Sequence, residues 1–499
     1  MAEQATLDGA VAMGNVGVMK IGAIGLALLA VTSSAHAQPL QQRVEAMLHD
    51  GSPGTRFGLV VVDEGGHELV AINPEQRFIP ASNTKMVTTT TAFATLTGID
   101  QPDPDGGTAV RIEDYRKGAP DVVLEGHGDA WLSGAADCTR DCLSALADAV
   151  AAKTKHVSDV IGDDTLYPDE RWSQGMAWNN IRTKSGTATS ALTIDDNELG
   201  LTVTPGAPGA APTLAFPAYY IVDNRALTVV GGKTHLSFDR EPNTYLVRLT
   251  GTIAADAKPQ DLRLGIDDPA RYAAWQLKGM LEARGVKVTG TVGVRHRLLT
   301  PADDPAVRGG APAARPPQQP VLARITPPPL IEDLTRISKV SQNLHAELML
   351  RRVSRKVGSG SVADGLAAVR QLLTQAGMPR VDYDFSDGSG MSTYNRLAPR
   401  GVVILLRWVA AQPWGAAWRA TLPIGGEEGT LGKRFRDTAL GGKLFAKTGT
   451  LNASNALSGY MIANSGKTLT FSFYANDVPQ DEGATQVMDK ALVAIAAEN

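Results

Sequence analysis

Helical and strand periods alternate along the chain and divide it into blocks. Residues 41–48 space their apolar positions as a short amphipathic helix does. Residues 56–62 and 67–72 are β-rich runs around Asp63-Glu64-Gly65-Gly66, which predicts a hairpin. Pro80-Ala81-Ser82 then opens a helical stretch with Met86, Phe93 and Leu96 on one side. From about residue 103 to 265 the chain is rich in Gly, Asp, Thr and Pro. Short β-like runs at 121–124, 219–222 and 245–249 make this stretch a mostly β insertion. Residues 269–281 predict a helix and 286–294 a strand. Residues 301–329 hold Pro312, Pro316, Pro317, Pro320 and Pro327-Pro328-Pro329, which cannot pair inside a sheet, so a linker or exposed excursion is expected. Helices follow at 330–339, 343–356 and 363–376. Three strands at 443–449, 456–462 and 468–474 precede a closing alanine-rich helix at 487–497. Helices around a late antiparallel meander predict an α+β chain, an antiparallel sheet covered by helices.

Composition narrows the class. The chain has 499 residues, about three domains' worth at ~150 each. A 43% hydrophobic share with 20% charged residues fits a globular protein. The net charge of −4 excludes nucleic-acid binding and polybasic membrane attachment as default readings. Residues 21–32 form an uncharged apolar run after Lys20 and before Ala35-His36-Ala37, the pattern of a secretory signal cut after Ala37. The segment before Lys20 carries Glu3 and Asp8 and no positive charge, so Met19 is the expected initiator and residues 1–18 an over-long extension. No second long apolar run follows, so the mature chain is expected to be exported, soluble and without a membrane span. Cys138 and Cys142 alone cannot complete a four-thiolate zinc site; they are free thiols or, in an exported chain, a disulfide closing a small loop. There is no His-Glu-x-x-His, and neither metal nor cofactor is expected.

Three short motifs carry the chemistry. Ser82-Asn83-Thr84-Lys85 puts a hydroxyl and an amine on one helix face. Serine needs a base to become a nucleophile, and a desolvated lysine crowded by a second cation can be neutral and take its proton. A helix start at Ser82 also favours developing negative charge there. Ser341-Gln342-Asn343 lies between two helical stretches, where a hydroxyl and a carboxamide can face one cleft. Lys447-Thr448-Gly449-Thr450 sits on a candidate strand, where glycine lets a substrate backbone lie close. A competing Lys184-Ser185-Gly186 follows a polar run with poor strand context and is set aside. In this order the three motifs mark penicillin-binding proteins and serine β-lactamases.

The surroundings resemble the low-molecular-mass class C penicillin-binding proteins, the D-alanyl-D-alanine carboxypeptidase/endopeptidase family. Pro80-Ala81-Ser82, Gly126-His127-Gly128-Asp129, Ile161-Gly162-Asp163-Asp164 and Pro205-Gly206 carry the likeness. So do Lys339-Val340-Ser341-Gln342-Asn343-Leu344 with Ala346-Glu347, Asp387-Gly388-Ser389-Gly390-Met391-Ser392, Leu422-Pro423 with Gly425-Gly426, and Ala446-Lys447-Thr448-Gly449-Thr450-Leu451. The resemblance implies a penicillin-binding/β-lactamase-like transpeptidase domain over 38–102 and 266–499. Region 103–265 would then be an inserted, mostly β accessory part of two small nested domains. It implies a periplasmic enzyme that removes the terminal D-alanine of peptidoglycan stem peptides, cuts D-alanyl cross-links, or both, with β-lactams as covalent inhibitors. Ser82 would be the acylated nucleophile and Lys85 its base. Ser341 would relay a proton to the leaving amine, and Asn343 would hold the substrate amide. Lys447 would keep the cleft positive, and Thr448 and Thr450 would bind the terminal carboxylate. The N–H groups of Ser82 and Thr450 would form the oxyanion hole.

Two positions depart from relatives. Asn179-Asn180 follow Trp178 where acids and a nearby tyrosine are common, and Thr393 stands where an arginine is common. Both belong to the side-chain pocket for the diamino acid. A β-lactamase would need a group to activate the deacylating water. No Glu-x-x-Leu-Asn lies between the first two motifs, and Tyr474-Ala475-Asn476 falls after the Lys-Thr-Gly, out of order. A non-catalytic scaffold is disfavoured by the intact motif residues. Gly466-Lys467-Thr468 ends like a P-loop, but Met461 stands where that loop needs glycine.

Overall fold

The computed structural model describes residues 39–114, 118–312 and 319–499. The expected signal segment, the Met19 start, and Pro316 and Pro317 lie outside the described residues.

The first and last strands of the chain share one sheet. Its five antiparallel strands run in the order Leu444–Leu451, Ser454–Ile462, Thr468–Asn476, Arg56–Val62 and Glu68–Ile72. The predicted hairpin and the predicted meander thus meet, with Leu59 opposite Phe473. Side chains alternate faces along a strand. Phe473 accordingly packs with Val44, Leu48, Leu492 and Ile495 from the terminal helices Leu40–His49 and Thr485–Glu498. Its neighbour Tyr474 turns to the other core, with Phe78, Met86, Leu334, Met349 and Trp418. Helices Thr84–Thr95, Leu330–Lys339, Asn343–Val357, Val362–Gln375 and Pro399–Ala410 build that second layer. The α+β class, an antiparallel sheet between helical layers, is as the pattern predicts.

The inserted part has its own sheet, in the order Val292–Arg297, Val160–Pro168, Asp121–Glu125, Ala109–Glu113 and Ala323–Arg324. Between residues 103 and 265 it holds a single α-helix among the described residues, Leu143–Lys153, and otherwise strands and turns. Its pairing runs past the expected boundary at 265. Val292–Arg297 pairs in parallel with Val160–Pro168, and Ala323 pairs with Val110. Helix Pro269–Ala283 sends Ala270, Ala273, Leu277 and Leu281 into the same core as Val122, Leu124 and Val160. By packing, this region extends to about Ile325. The strand expected at 286–294 is two pieces, Lys287–Val288 and Val292–Arg297. Gly290 lies between them, where a side chain would collide with Asp159 at 2.1 Å. Cys138 and Cys142 form a disulfide. No helix among the described residues is long and apolar enough to cross a membrane.

Candidate active site

Ser82 sits in the 3-10 turn Ala81–Asn83, which runs straight into helix Thr84–Thr95. Ala81 is held in the left-handed region at φ +48°, a cost on the order of 1–3 kcal/mol that the surroundings must impose. Several contacts impose it. The Asn83 side chain donates to the Lys447 carbonyl at 2.7 Å and accepts from the Ser458 hydroxyl at 2.6 Å, tying the turn to the sheet. A Cβ on Gly390 would lie 1.9 Å from the Ala81 carbonyl, and one on Gly449 would lie 2.6 Å from the Pro80 carbonyl. The space expected to admit a substrate backbone at Gly449 is therefore taken by the turn that carries Ser82.

Helical spacing brings Lys85 back over Ser82, with Nζ 2.9 Å from Oγ. The same amine donates to Asn343 Oδ1 and to the Ser389 carbonyl, both at 2.6 Å. These two oxygens can only accept, so they consume two N–H bonds. The third direction, a lone pair in the neutral amine, faces the Ser82 hydroxyl. Burial pushes the Lys85 ammonium down while the nearby carboxylates of Asp387 and Glu347 pull it up, leaving it at about 7.

The second and third motifs meet at a hydrogen bond. Ser341, itself left-handed at φ +62°, has its hydroxyl 2.9 Å from Lys447 Nζ, which also donates to the Thr448 carbonyl at 2.9 Å. The residue capping helix Asn343–Val357 is Gln342, whose side chain accepts from Leu344, so the Ser341 hydroxyl is left to meet Lys447. Lys447 is fully buried. Burial first, and the charge of Lys85 second, push its ammonium well below the ordinary lysine range. The constant charge expected of Lys447 is thus opposed by its surroundings. Thr448 meets the Thr430 hydroxyl at 2.7 Å, and Thr450 is exposed.

Lys184-Ser185-Gly186 is a 3-10 turn, in keeping with its poor strand context. Its backbone nevertheless reaches the site: the Ser185 carbonyl accepts from Asn343 Nδ2 at 2.8 Å, which fixes that amide with its oxygen toward Lys85. Trp178 is exposed, and the chain next to it reaches Thr393. Met176 bridges to Ser392, and the Thr393 hydroxyl donates to the Gly175 carbonyl at 2.9 Å. Tyr474 is buried against Phe78, and Asn476 binds the backbone of Ile79, so this Tyr-x-Asn lies in the sheet. Gly466, at φ +86°, lies in a turn between strands Ser454–Ile462 and Thr468–Asn476 rather than in a phosphate loop.

Sequence reasoning gave no role to Glu347, Asp387 or Ser389. A carboxylate followed by the small residues Gly388-Ser389-Gly390, whose backbone N–H groups are close to it, was the available signal. Among the described residues no group of three or more His, Cys, Asp or Glu could hold a metal ion.

The chain is similar to known proteins over most of its length. The profile of the D-Ala-D-Ala carboxypeptidase 3 (S13) family matches residues 40–499. The chain is 34% identical over 471 residues to a D-alanyl-D-alanine carboxypeptidase of Actinomadura sp. (strain R39), covering 90% of this chain and 83% of that one. It is 26% identical over 372 residues to the D-alanyl-D-alanine carboxypeptidase DacB of Haemophilus influenzae, covering 71% and 72%. The crystal structure of penicillin binding protein 4 from H. influenzae superposes with a TM-score of 0.75 at 20% identity, over 90% of this chain and 98% of that one.

Proposed function

The chain belongs to the D-Ala-D-Ala carboxypeptidase 3 (S13) family of serine peptidases, and on that premise we propose that it hydrolyses D-alanyl-D-alanine bonds of peptidoglycan stem peptides through an acyl-enzyme on Ser82. The observation that carries this reading is the Lys85 amine 2.9 Å from Ser82 Oγ, with its two other partners neutral oxygens. Lys85 takes the Ser82 proton as Oγ attacks the carbonyl carbon of the penultimate D-alanine. The oxyanion forms beside the N–H groups of Ser82 and Thr450, and such donors contribute a few kcal/mol, about 3 each. Collapse expels D-alanine, whose amine receives a proton by way of Ser341, bridged to Lys447. Water then attacks the ester carbonyl, giving a proton to Lys85, which passes it to Ser82 Oγ as the acyl group leaves as a carboxylic acid. Asn343 holds the peptide amide, while Thr448 and Thr450 bind the terminal carboxylate.

Lys447 acts through that carboxylate. The free site disfavours its charge, and an arriving anion favours it. The same chemistry serves a cross-link, where the leaving amine belongs to a diamino acid instead of D-alanine. The secretory-signal pattern ending at Ala37 supports a periplasmic location, with the mature chain starting at Gln38. β-Lactams, strained mimics of the acyl-D-Ala-D-Ala bond, acylate Ser82 and stay.

Fluorescent penicillin and mass spectrometry of peptidoglycan fragments test this together. Wild type acquires a long-lived label and releases D-alanine or splits cross-links, and Ser82→Ala does neither. Labelling that survives Ser82→Ala removes the nucleophile assignment. Rapid turnover of nitrocefin would make the chain a β-lactamase instead. N-terminal sequencing that finds residues before Ala35 would refute the cleavage site.

A further inference from the structure

Two carboxylates beside Lys85 take no part in these steps. Glu347 and Asp387 are both buried. Glu347 lies one helical turn after Asn343, so the two side chains leave helix Asn343–Val357 on the same face. Its carboxylate accepts the N–H of Gly388 at 3.2 Å and of Ser389 at 2.8 Å. Asp387 accepts the N–H of Gly390 at 2.9 Å and of Ser392 at 2.6 Å, together with the Asn395 amide at 2.5 Å. The Gly390 N–H and the Ser389 carbonyl belong to one trans peptide and point opposite ways. Capture of that N–H by Asp387 therefore aims the Ser389 carbonyl outward, onto Lys85 Nζ at 2.6 Å.

We infer that Glu347 and Asp387 are positioning residues for the proposed base: they clamp the turn 387–392 so that a neutral carbonyl, and not a carboxylate, touches the Lys85 amine. The inference rests on Lys85 being the base. A carboxylate in contact would hold the amine as a cation and spoil it for taking a proton. A carbonyl accepts an N–H from either form. Held behind the peptide, the two acids still favour the ammonium form, against the burial that opposes it. The charged groups facing Lys85 are Glu347 from its helix, Asp387 from the turn and Lys447 from the sheet. Those facing Glu347 are Lys85, Asp387 and Arg351. Burial and Asp387 both push Glu347 up, to about 7. The pair thus sits near the edge of losing one charge, and that loss would be passed on to the amine.

The test is the pH profile of the second-order rate of acylation by benzylpenicillin, measured on the mature chain. Wild type should show an acid limb near pH 7. In Glu347→Gln the limb should move to lower pH by about one unit, with the alkaline plateau largely kept, because one carboxylate charge favouring the ammonium is gone. Glu347→Asp keeps the charge, so its limb should stay at the wild-type position even where its plateau falls. A purely structural role would lower the rate at every pH and leave the limb in place. If Glu347→Gln fails to fold, Asp387→Asn serves, with the same acidward shift expected. A wild-type limb that is unmoved, or moved upward, in the neutralised variant overturns this inference alone. A wild type with no limb near pH 7 overturns Lys85 as the base, and this inference with it.

Discussion

One helix, Asn343–Val357, borders two buried groups of charge that are handled in opposite ways. Asn343 and Glu347 face Lys85, while His345 between them faces the inserted region, since positions two apart on a helix do not share a face. On the first side, Lys85 and Lys447 touch only hydroxyl, amide and carbonyl oxygens. On the second, His345 is held directly between Asp333 at 2.8 Å and Asp196 at 2.9 Å, and Asp196 also takes Arg336 at 2.5 Å. Arg240 and Asp267, deeper in the inserted part, form a two-bond pair at 2.5 Å. Direct pairs fix a charge and so fix structure. Neutral acceptors leave the amine titratable, which a base requires. The same chain thus pairs His345 and Arg240 directly with carboxylates and leaves Lys85 and Lys447 without one in contact.

The largest expected effect attacks the unpaired side. Lys85→Arg places a permanent cation where a neutral base is needed, because arginine does not lose its proton at working pH. Penicillin acylation and D-alanine release should both fall by about 10³-fold or more, within the range a general base supplies. Lys447→Arg keeps the cation that the substrate carboxylate meets. It should retain part of the acylation rate, with its loss showing partly as weaker binding of substrates that have a free C-terminal carboxylate. Equal acylation rates in the two variants would remove Lys85 as the base and dissolve the contrast.

A smaller effect should come from the paired side, and in stability rather than rate. Arg240→Met leaves Asp267 buried without its cation. Breaking such a pair from one side costs about 3–5 kcal/mol. Thermal melting should drop accordingly, while the folded fraction acylates at the wild-type rate. A variant as stable as wild type, or one with impaired acylation, would show that the pair is not simply structural.

What the chain disclosed in advance follows the same division. Ser82 with Lys85, and the strand carrying Lys447, are set by local period, and local period is legible. The sheet was legible too, because Phe473 and Tyr474 alternate between two cores as strand residues must. The limit at 265 was not, since Val292–Arg297 and Ala323–Arg324 close the inserted sheet by long-range pairing that leaves no local mark. Nor was the clamp around Asp387, which exists only when a helix carrying Glu347 lies against a turn remote in sequence. Gly449 was noticed for the right property and given the wrong neighbour. A missing Cβ announces a close approach without saying whose backbone approaches.

The smallest expected effect is a slope with pH on the paired side. Burial pushes His345 down, but hydrogen bonds and charge from Asp196 and Asp333 outweigh it, and its pKa ends above the ordinary histidine value. Arg336 faces the same site through Asp196 and opposes the cation, without changing the sign. A folded-state pKa raised above the unfolded value of about 6.5 gives stability that is complete below that pH. As pH climbs past it, the unfolded chain gives up its proton while the folded one keeps it, so the contribution shrinks. It is gone once pH passes the folded value. Melting of wild type and His345→Gln should therefore differ most at about pH 6 and converge steadily above it. A gap that widens with rising pH would mean that His345 is neutral in the folded protein. The cluster at the inserted region would then be held by hydrogen bonds alone, and the division between paired and unpaired charge would fail at its closest point to Asn343.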